Sequence, residues 1–205
     1  MSILKFLLYF LLSIFNKKKR YVILTPNLLY FFIKNVFIYD KQSKFFFVQR
    51  IERYGDYITV QEIFFNSDYN LKSFNFWQNK NEDKNKVKLI IDCGANIGCS
   101  SVFLNKNHSQ SFIVAIEPEK KNFKLLESNT KGLKKIKLIN SAVSSEEHFF
   151  SLQKSEDSRA HKVNDKRDEK FNDTKTVTIN NILKEYPENE FSFFLIKIDI
   201  EGFEK

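Results

Sequence analysis

Residues that punctuate or cross-link a chain are scarce here: five glycines, three prolines and two cysteines in 205 residues. Cys93 and Cys99 are too few for a disulfide framework. A bridge between them would join a strand end to a first helical turn across a glycine turn, so both read as reduced packing thiols in a cytoplasmic setting. His108, His148 and His161 stand at no metal-ligand spacing, which leaves no zinc site. Nor does any apolar run reach the roughly 20 residues of a membrane-crossing helix. The run from Ile3 to Phe15 is followed by Lys17, Lys18, Lys19 and Arg20, the wrong side for the charge of a secretory signal. Residues 3–20 fit a helix lying in the membrane interface with its basic cluster on anionic headgroups, or a helix packed on the domain or on a partner.

What is abundant is core material. Hydrophobic residues make up 42% and aromatics 16% of the chain, enough to confine disorder to a few polar segments. The net charge of +8 suits nucleic acid, an anionic membrane or an acidic substrate in principle. The lysines are scattered among asparagines and phenylalanines rather than gathered into a patch. They therefore read as a solvated basic surface, and no nucleic-acid partner is expected.

Taken in order, the apolar and basic residues 1–20 precede a β-rich cap and linker over 21–86. Short β-branched and aromatic runs, Val22 to Leu24, Val36 to Tyr39, Phe45 to Val48 and Tyr57 to Phe65, are separated by polar breaks such as Asp40-Lys41-Gln42-Ser43 and predict hairpins. Tyr54-Gly55-Asp56 and Asn66-Ser67-Asp68 read as turns, residues 71–77 as helical, and residues 79–86 as a charged linker. Beyond it, residues 87–205 alternate strands and helices, the signature of βαβ units and a parallel sheet. The strands are Leu89 to Ile91, Ser111 to Ile116, Ile136 to Ile139 and Phe193 to Ile200. The first helix spans Ser101 to Lys106, the second opens at Pro118, and a third covers Ile179 to Tyr186. Phe149 to Leu152 reads as an edge strand, and residues 154–175, charged with both signs and almost without apolar residues, as a mobile surface insertion.

The organising stretch is Lys88 to Ser100. Leu89, Ile90 and Ile91 form a strand buried on both faces, Asp92 ends it, and the turn Gly94-Ala95-Asn96-Ile97-Gly98 leads into a helix, exposing backbone N–H groups to a polar or anionic ligand. Asp92, Glu117, Asp199 and Glu201 all fall at the carboxyl ends of predicted parallel strands, the edge where open α/β sheets bind ligands. Glu117 comes about twenty residues after the turn, where an acid can accept hydrogen bonds from both hydroxyls of a ribose. A dinucleotide fingerprint needs glycine where Asn96 stands, so its backbone can approach a pyrophosphate. A nucleoside cofactor without a pyrophosphate, such as S-adenosylmethionine, has no such need.

With those residues in view, the sequence resembles the FkbM-type S-adenosylmethionine-dependent methyltransferases. The resemblance rests on Ile91-Asp92-Cys93-Gly94-Ala95-Asn96-Ile97-Gly98, Glu117-Pro118, Asn140-Ser141-Ala142-Val143 and, most specifically, Lys197-Ile198-Asp199-Ile200-Glu201-Gly202-Phe203-Glu204. It implies a Rossmann-like class I α/β methyltransferase fold and methyl transfer to an oxygen, typically a hydroxyl of a sugar or secondary metabolite. It also implies that Asp92 and the turn of Gly94, Ala95, Asn96 and Gly98 hold the methionine part, Glu117 the ribose, and Ser141 and Ala142 the adenine.

The residues themselves leave Asp199 and Glu201 open. Two apart on a strand, they point to one face, where they could act as a general base, bind a divalent cation through oxygen, anchor the cofactor's amino group, or cap a following helix. Class I sheets have seven strands and four are counted here, so the expectation is a chain whose C-terminal strands are missing, with one apolar strand left as an edge. Two functions are implied: an enzyme O-methylating a glycan or related polyhydroxylated acceptor, or an inactive fragment that binds or associates with a membrane. No Asn-Pro-Pro-Tyr-like motif of amino-methylating enzymes occurs, which ranks nucleic-acid methylation last.

Overall fold

The computed structural model describes residues 21–24, 35–41, 45–50, 54–66, 68–71, 87–153, 162–164, 174–187 and 190–200. The terminal helix expected over 3–20, the helical stretch over 71–77 and the linker over 79–86 lie, apart from Leu71, outside these residues.

At the centre is a four-stranded parallel sheet: β4 (Val87–Cys93), β5 (Phe112–Ile116), β6 (Ile136–Ile139) and β11 (Phe191–Ile198), in the order β11-β4-β5-β6. The apolar runs predict each of these strands. Period-2 alternation sorts the side chains onto two faces. Ile90, Ile113 and Ala115 meet Leu104 of α2 (Cys99–Asn107) and Leu126 of α3 (Lys120–Thr130), while Leu89, Ile91, Cys93, Val114 and Ile116 meet Ile182 of α4 (Ile179–Lys184). Helices thus cover both faces of a mixed α/β, Rossmann-like sheet. Among the described residues β11 pairs with β4 at an edge of this sheet and leaves Ile196 and Ile198 exposed.

Two expectations are corrected on the far side of β6. β7 (Ala142–Val143), β8 (Phe149–Gln153), β9 (Lys162–Asn164) and β10 (Thr174–Val177) form a second, mixed sheet in the order β7-β10-β8-β9. β8 is therefore an inner strand of that sheet, not an edge. The charged segment over 154–175 supplies β9 and the start of β10, because backbone pairing to β8 needs no apolar side chains. The rest of that segment is outside the described residues.

The N-terminal sheet is an antiparallel meander of β1 (Tyr21–Leu24), β2 (Asn35–Asp40) and β3 (Phe45–Arg50), in agreement with the hairpin reading. The segment after β3 departs from expectation. Tyr54-Gly55-Asp56 is not a turn and Tyr57 to Phe65 is not a strand: α1 (Tyr54–Val60) runs straight into π-helical turns over Gln61–Asn66. β-branched and aromatic residues favour strands only weakly, and here burial overrides them. Val60, Ile63 and Phe64 fall on one helical face and pack with Ile38 and Phe47 of the meander against Ile97, Val102 and Phe103. Asp56 anchors the helix start by accepting from Arg50 N at 3.1 Å.

A polar clamp holds this cap on the sheet domain. Asn129 of α3 is buried; its Oδ1 accepts from Val48 N at 2.7 Å, and its Nδ2 donates to the carbonyls of Val48 at 2.9 Å and Ile97 at 2.8 Å. Replacing Asn129 by Leu would leave those three backbone groups buried and unpaired. A loss of about 3 kcal/mol in urea unfolding is expected, since each such group costs about 1–3 kcal/mol. The exposed neighbour change Ser128→Ala should stay within about 0.5 kcal/mol. If both variants unfold together, Asn129 is not the clamp.

Candidate active site

Strand β4 delivers Asp92 to the carboxyl edge of the sheet, where the chain must leave it sharply. Gly94 at φ 77°, Asn96 at φ 51° and Gly98 at φ 92° adopt left-handed backbone, and Gly98 caps α2. A side chain at Gly94 is excluded twice, by that conformation and because a Cβ would lie 2.1 Å from the carbonyl oxygen of Asp199. The turn is therefore pressed against the end of β11, and the two ends of the predicted motif meet.

The turn does not present its amides to a ligand as expected. Gly94 N and Ala95 N both donate to the carbonyl of Ile116, at 3.0 and 2.9 Å, Gly98 N to Ala95 O at 2.8 Å, and Asn96 N to Glu117 Oε2 at 2.8 Å. These bonds tie the turn to the end of β5, leaving the same amides no capacity to cradle a phosphate. Asn96 Oδ1 is buried without a hydrogen-bond partner, an acceptor waiting for a donor.

Beneath the turn, Asp92 is 0% exposed. Its Oδ2 accepts from Ser100 Oγ and Ser101 Oγ, both at 2.6 Å, and its Oδ1 lies 3.0 Å from Lys197 Nζ, the residue opposite it in the register. Lys197 also donates to Gly94 O at 3.0 Å. Burial alone would lower the Lys197 ammonium's pKa, but Asp92, Tyr69 and Asp199 outweigh it and hold it above the ordinary value. Asp92, expected to hold the methionine part of a cofactor, is buried beneath the turn and braces it. Cys93 and Cys99 are buried free thiols, the first pushed up to about 12 and the second well above its ordinary value, mainly by burial.

At the mouth, Asp199 lies just past the end of β11 with its carboxylate open to solvent. Tyr69, reached from the cap, donates its hydroxyl to Asp199 Oδ2 at 3.0 Å, and Lys197 Nζ lies 3.5 Å from the same oxygen. Burial pushes the Tyr69 phenol up to about 12 against the pull of Lys197, which keeps it a donor at neutral pH. Glu201, the expected partner of Asp199, is outside the described residues. Among the described residues no three His, Cys, Asp or Glu groups converge on a metal position.

Glu117, at the end of β5, is only 5% exposed. Its Oε1 accepts from Glu119 N at 3.0 Å and Asn122 Nδ2 at 3.3 Å, while Oε2 accepts from Asn96 N. Ser141 and Ala142 open β7; the Ser141 hydroxyl donates to the carbonyl of Lys175, and Ala142 pairs with Thr176, so both hold the second sheet beside the site. Asn140 Nδ2 donates to the carbonyl of Glu117 at 2.8 Å, fixing that strand end.

Tyr69, Asn122 and Arg50 belong to this site and carry no local signal in the sequence. Asn122 is a buried polar residue at the start of α3, and the Asn96 to Glu117 spacing could have drawn attention to that region.

Burial pushes the Glu117 carboxyl up to about 7, against the hydrogen bonds from Glu119 N, Asn96 N and Asn122 Nδ2. An acid raised in the folded state contributes stability at low pH that is lost as pH rises through its folded value. Wild-type protein should therefore lose about 3 kcal/mol more than Glu117→Gln between pH 4.5 and 8. Urea unfolding across that range checks this, and parallel curves for the two proteins would refute it.

Among the described residues no helix is long and apolar enough to cross a membrane. No curated protein sequence matches the chain. The profile of the methyltransferase FkbM domain matches residues 92–205, more than half of the chain and the part that carries the turn, Glu117 and the Lys197 to Glu204 block. The chain belongs to the FkbM methyltransferase family.

Proposed function

We propose that the chain is an S-adenosylmethionine-dependent O-methyltransferase acting on a hydroxyl of a glycan or related polyhydroxylated molecule. The observation that carries this reading is the chemistry of the turn. Gly94, Ala95, Asn96 and Gly98 spend their amides inside the protein, while Glu117 Oε2 and the orphaned Asn96 Oδ1 remain as acceptors. An acceptor-rich pocket suits the hydroxyls of a ribose and disfavours a pyrophosphate, which needs donors. Adenosylmethionine fits that set: Glu117 and Asn96 would receive the ribose hydroxyls, and Ser141 and Ala142 would border the adenine. Asp92 contributes by holding the turn in shape.

When bound, the cofactor supplies a methyl group made electrophilic by its sulfonium. The chain's own part is to place an acceptor hydroxyl and take its proton. Asp199 is the exposed carboxylate at the mouth, next to the turn, and is oriented by Tyr69 and Lys197. As general base it would accept the hydroxyl proton as the oxygen attacks. Contact of residues 3–20 with an anionic membrane would place the acceptor near a lipid surface, and rests on the sequence of that segment alone.

Calorimetry with S-adenosylhomocysteine tests the pocket. Glu117→Ala should weaken binding by roughly 10- to 100-fold, the worth of a hydrogen bond to a charged group, and Gly94→Val, whose side chain would collide with the Asp199 carbonyl, at least as much. Unchanged affinity in both variants would remove the cofactor assignment. Asp199→Asn should keep that affinity yet slow adenosylhomocysteine release in the presence of a lysate glycan fraction by roughly 10²-fold or more. Full turnover in this variant would exclude Asp199 as the base.

A further inference from the structure

The carboxylate assigned to the ribose is reached from the opposite side by a buried chain of hydrogen bonds that starts in the N-terminal cap. Arg50, the last residue of β3, forks onto Asp56 of α1, with Nε 2.8 Å from Oδ2 and Nη2 2.8 Å from Oδ1. The same Nη2 donates to Asn122 Oδ1 at 2.7 Å. Asn122 then donates through Nδ2 to Glu117 Oε1. All four side chains are buried.

The order of donors along this chain is forced. A guanidinium has only donors, so the face of the Asn122 amide turned to Arg50 must be its oxygen. The amide group of Asn122 is consequently aimed at Glu117. The flipped amide would set a nitrogen against the guanidinium and an oxygen against the carboxylate. Asp56 in turn fixes the guanidinium plane through two parallel bonds. Glu119 adds its own constraint by accepting Asn122 N at 2.7 Å, which fixes the backbone of the amide but not its flip.

We infer that Arg50 is a positioning residue of the cofactor site, acting through Asn122 to hold the Glu117 carboxylate in its ligand-ready, ionised form. This rests on the assignment of Glu117 to the ribose. The groups facing Glu117 are Glu119 from its own loop, Asn96 from the glycine turn and Asn122 from α3, with Arg50 on β3 and Asp56 on α1 behind Asn122. Of these charges Arg50 is the cation, one side chain removed behind Asn122; the anionic Glu119 opposes the carboxylate, and Asp56 faces Arg50.

Because removing Arg50 alone would strand Asp56 as a buried charge, the test replaces the pair together, Arg50→Met with Asp56→Leu, and separately makes Asn122→Leu. The full chain is titrated without ligand, following the Glu117 carboxyl carbon by NMR. Both variants should raise its midpoint by about one pH unit, the effect of one lost hydrogen bond to the charged form. Combining all three substitutions should raise it no further, because the residues act in series. In parallel, S-adenosylhomocysteine binding at pH 7 should weaken about fivefold in each variant, as the ionised fraction falls from about a half to about a tenth, and recover at pH 8.5. An unmoved midpoint in folded Asn122→Leu protein overturns the inference. If the midpoints move but wild-type protein binds no adenosylhomocysteine at any pH, the ribose assignment fails while the chain of bonds stands.

Discussion

The buried ion pair of Lys197 and Asp92 is the point on which the site depends. Two charges removed from water need every remaining bonding position filled, or their desolvation outweighs their attraction. Here Ser100 and Ser101 saturate one oxygen of Asp92, and Gly94 O takes a further proton of Lys197. One pair thereby fastens β11 to β4, the glycine turn to both, and the first turn of α2 to the sheet. The left-handed backbone at Gly94 and Gly98 is the consequence: the chain has to pass over a carboxylate that points inward, with the Asp199 carbonyl close on its other side.

Asp92 and Glu117 flank the same turn yet meet opposite electrostatic conditions. Asp92 lies beside an ammonium and two hydroxyls; among the described residues Glu117 accepts from neutral donors, with a cation one residue further away and a second carboxylate nearby. The first is a structural anion. The second is kept near its titration point by burial, and a ligand that donates hydroxyls to it would favour the ionised form. Division of labour between two strand-end acids thus arises from which cation each can touch: the deeper one braces, and the shallower one is the proposed ribose ligand.

How much of this is legible in the sequence depends on range. The four strands of the parallel sheet announce themselves as apolar runs, and their order at one edge brings Asp92, Glu117 and Asp199 together without any knowledge of contacts. Chemistry that depends on a pattern within a dozen residues is equally readable, as with Asn96 standing where a dinucleotide site needs glycine. The helix over Tyr54–Val60 is not, because its β-branched residues favour a strand and only the cluster of Ile97, Val102 and Phe103 across the chain decides otherwise. Tyr69 and Arg50 lie 130 and 72 positions from the partners that give them meaning, Asp199 and Asn122. No local period records such a pairing. The role of Asp92 shifts for a related reason: the sequence places it at the ligand edge, but burial turns its carboxylate beneath that edge.

The family match begins at Asp92, whereas the site does not. Ile97, Val102 and Phe103 lie within the matched segment and are buried in one cluster with Ile38, Phe47, Val60, Ile63 and Phe64 of the cap. The polar side of the same contact is Asn129 clamping Val48 and Ile97, and Asn122 meeting Arg50. Stripping the cap would expose the apolar flank of α2, take from Asn129 its two bonds to Val48 and release the amide that faces Glu117. Those losses converge on the turn itself. The cap is therefore better understood as the outer wall of the proposed cofactor site than as a neighbouring module, and changes at its buried face should be felt first in ligand affinity and its dependence on pH.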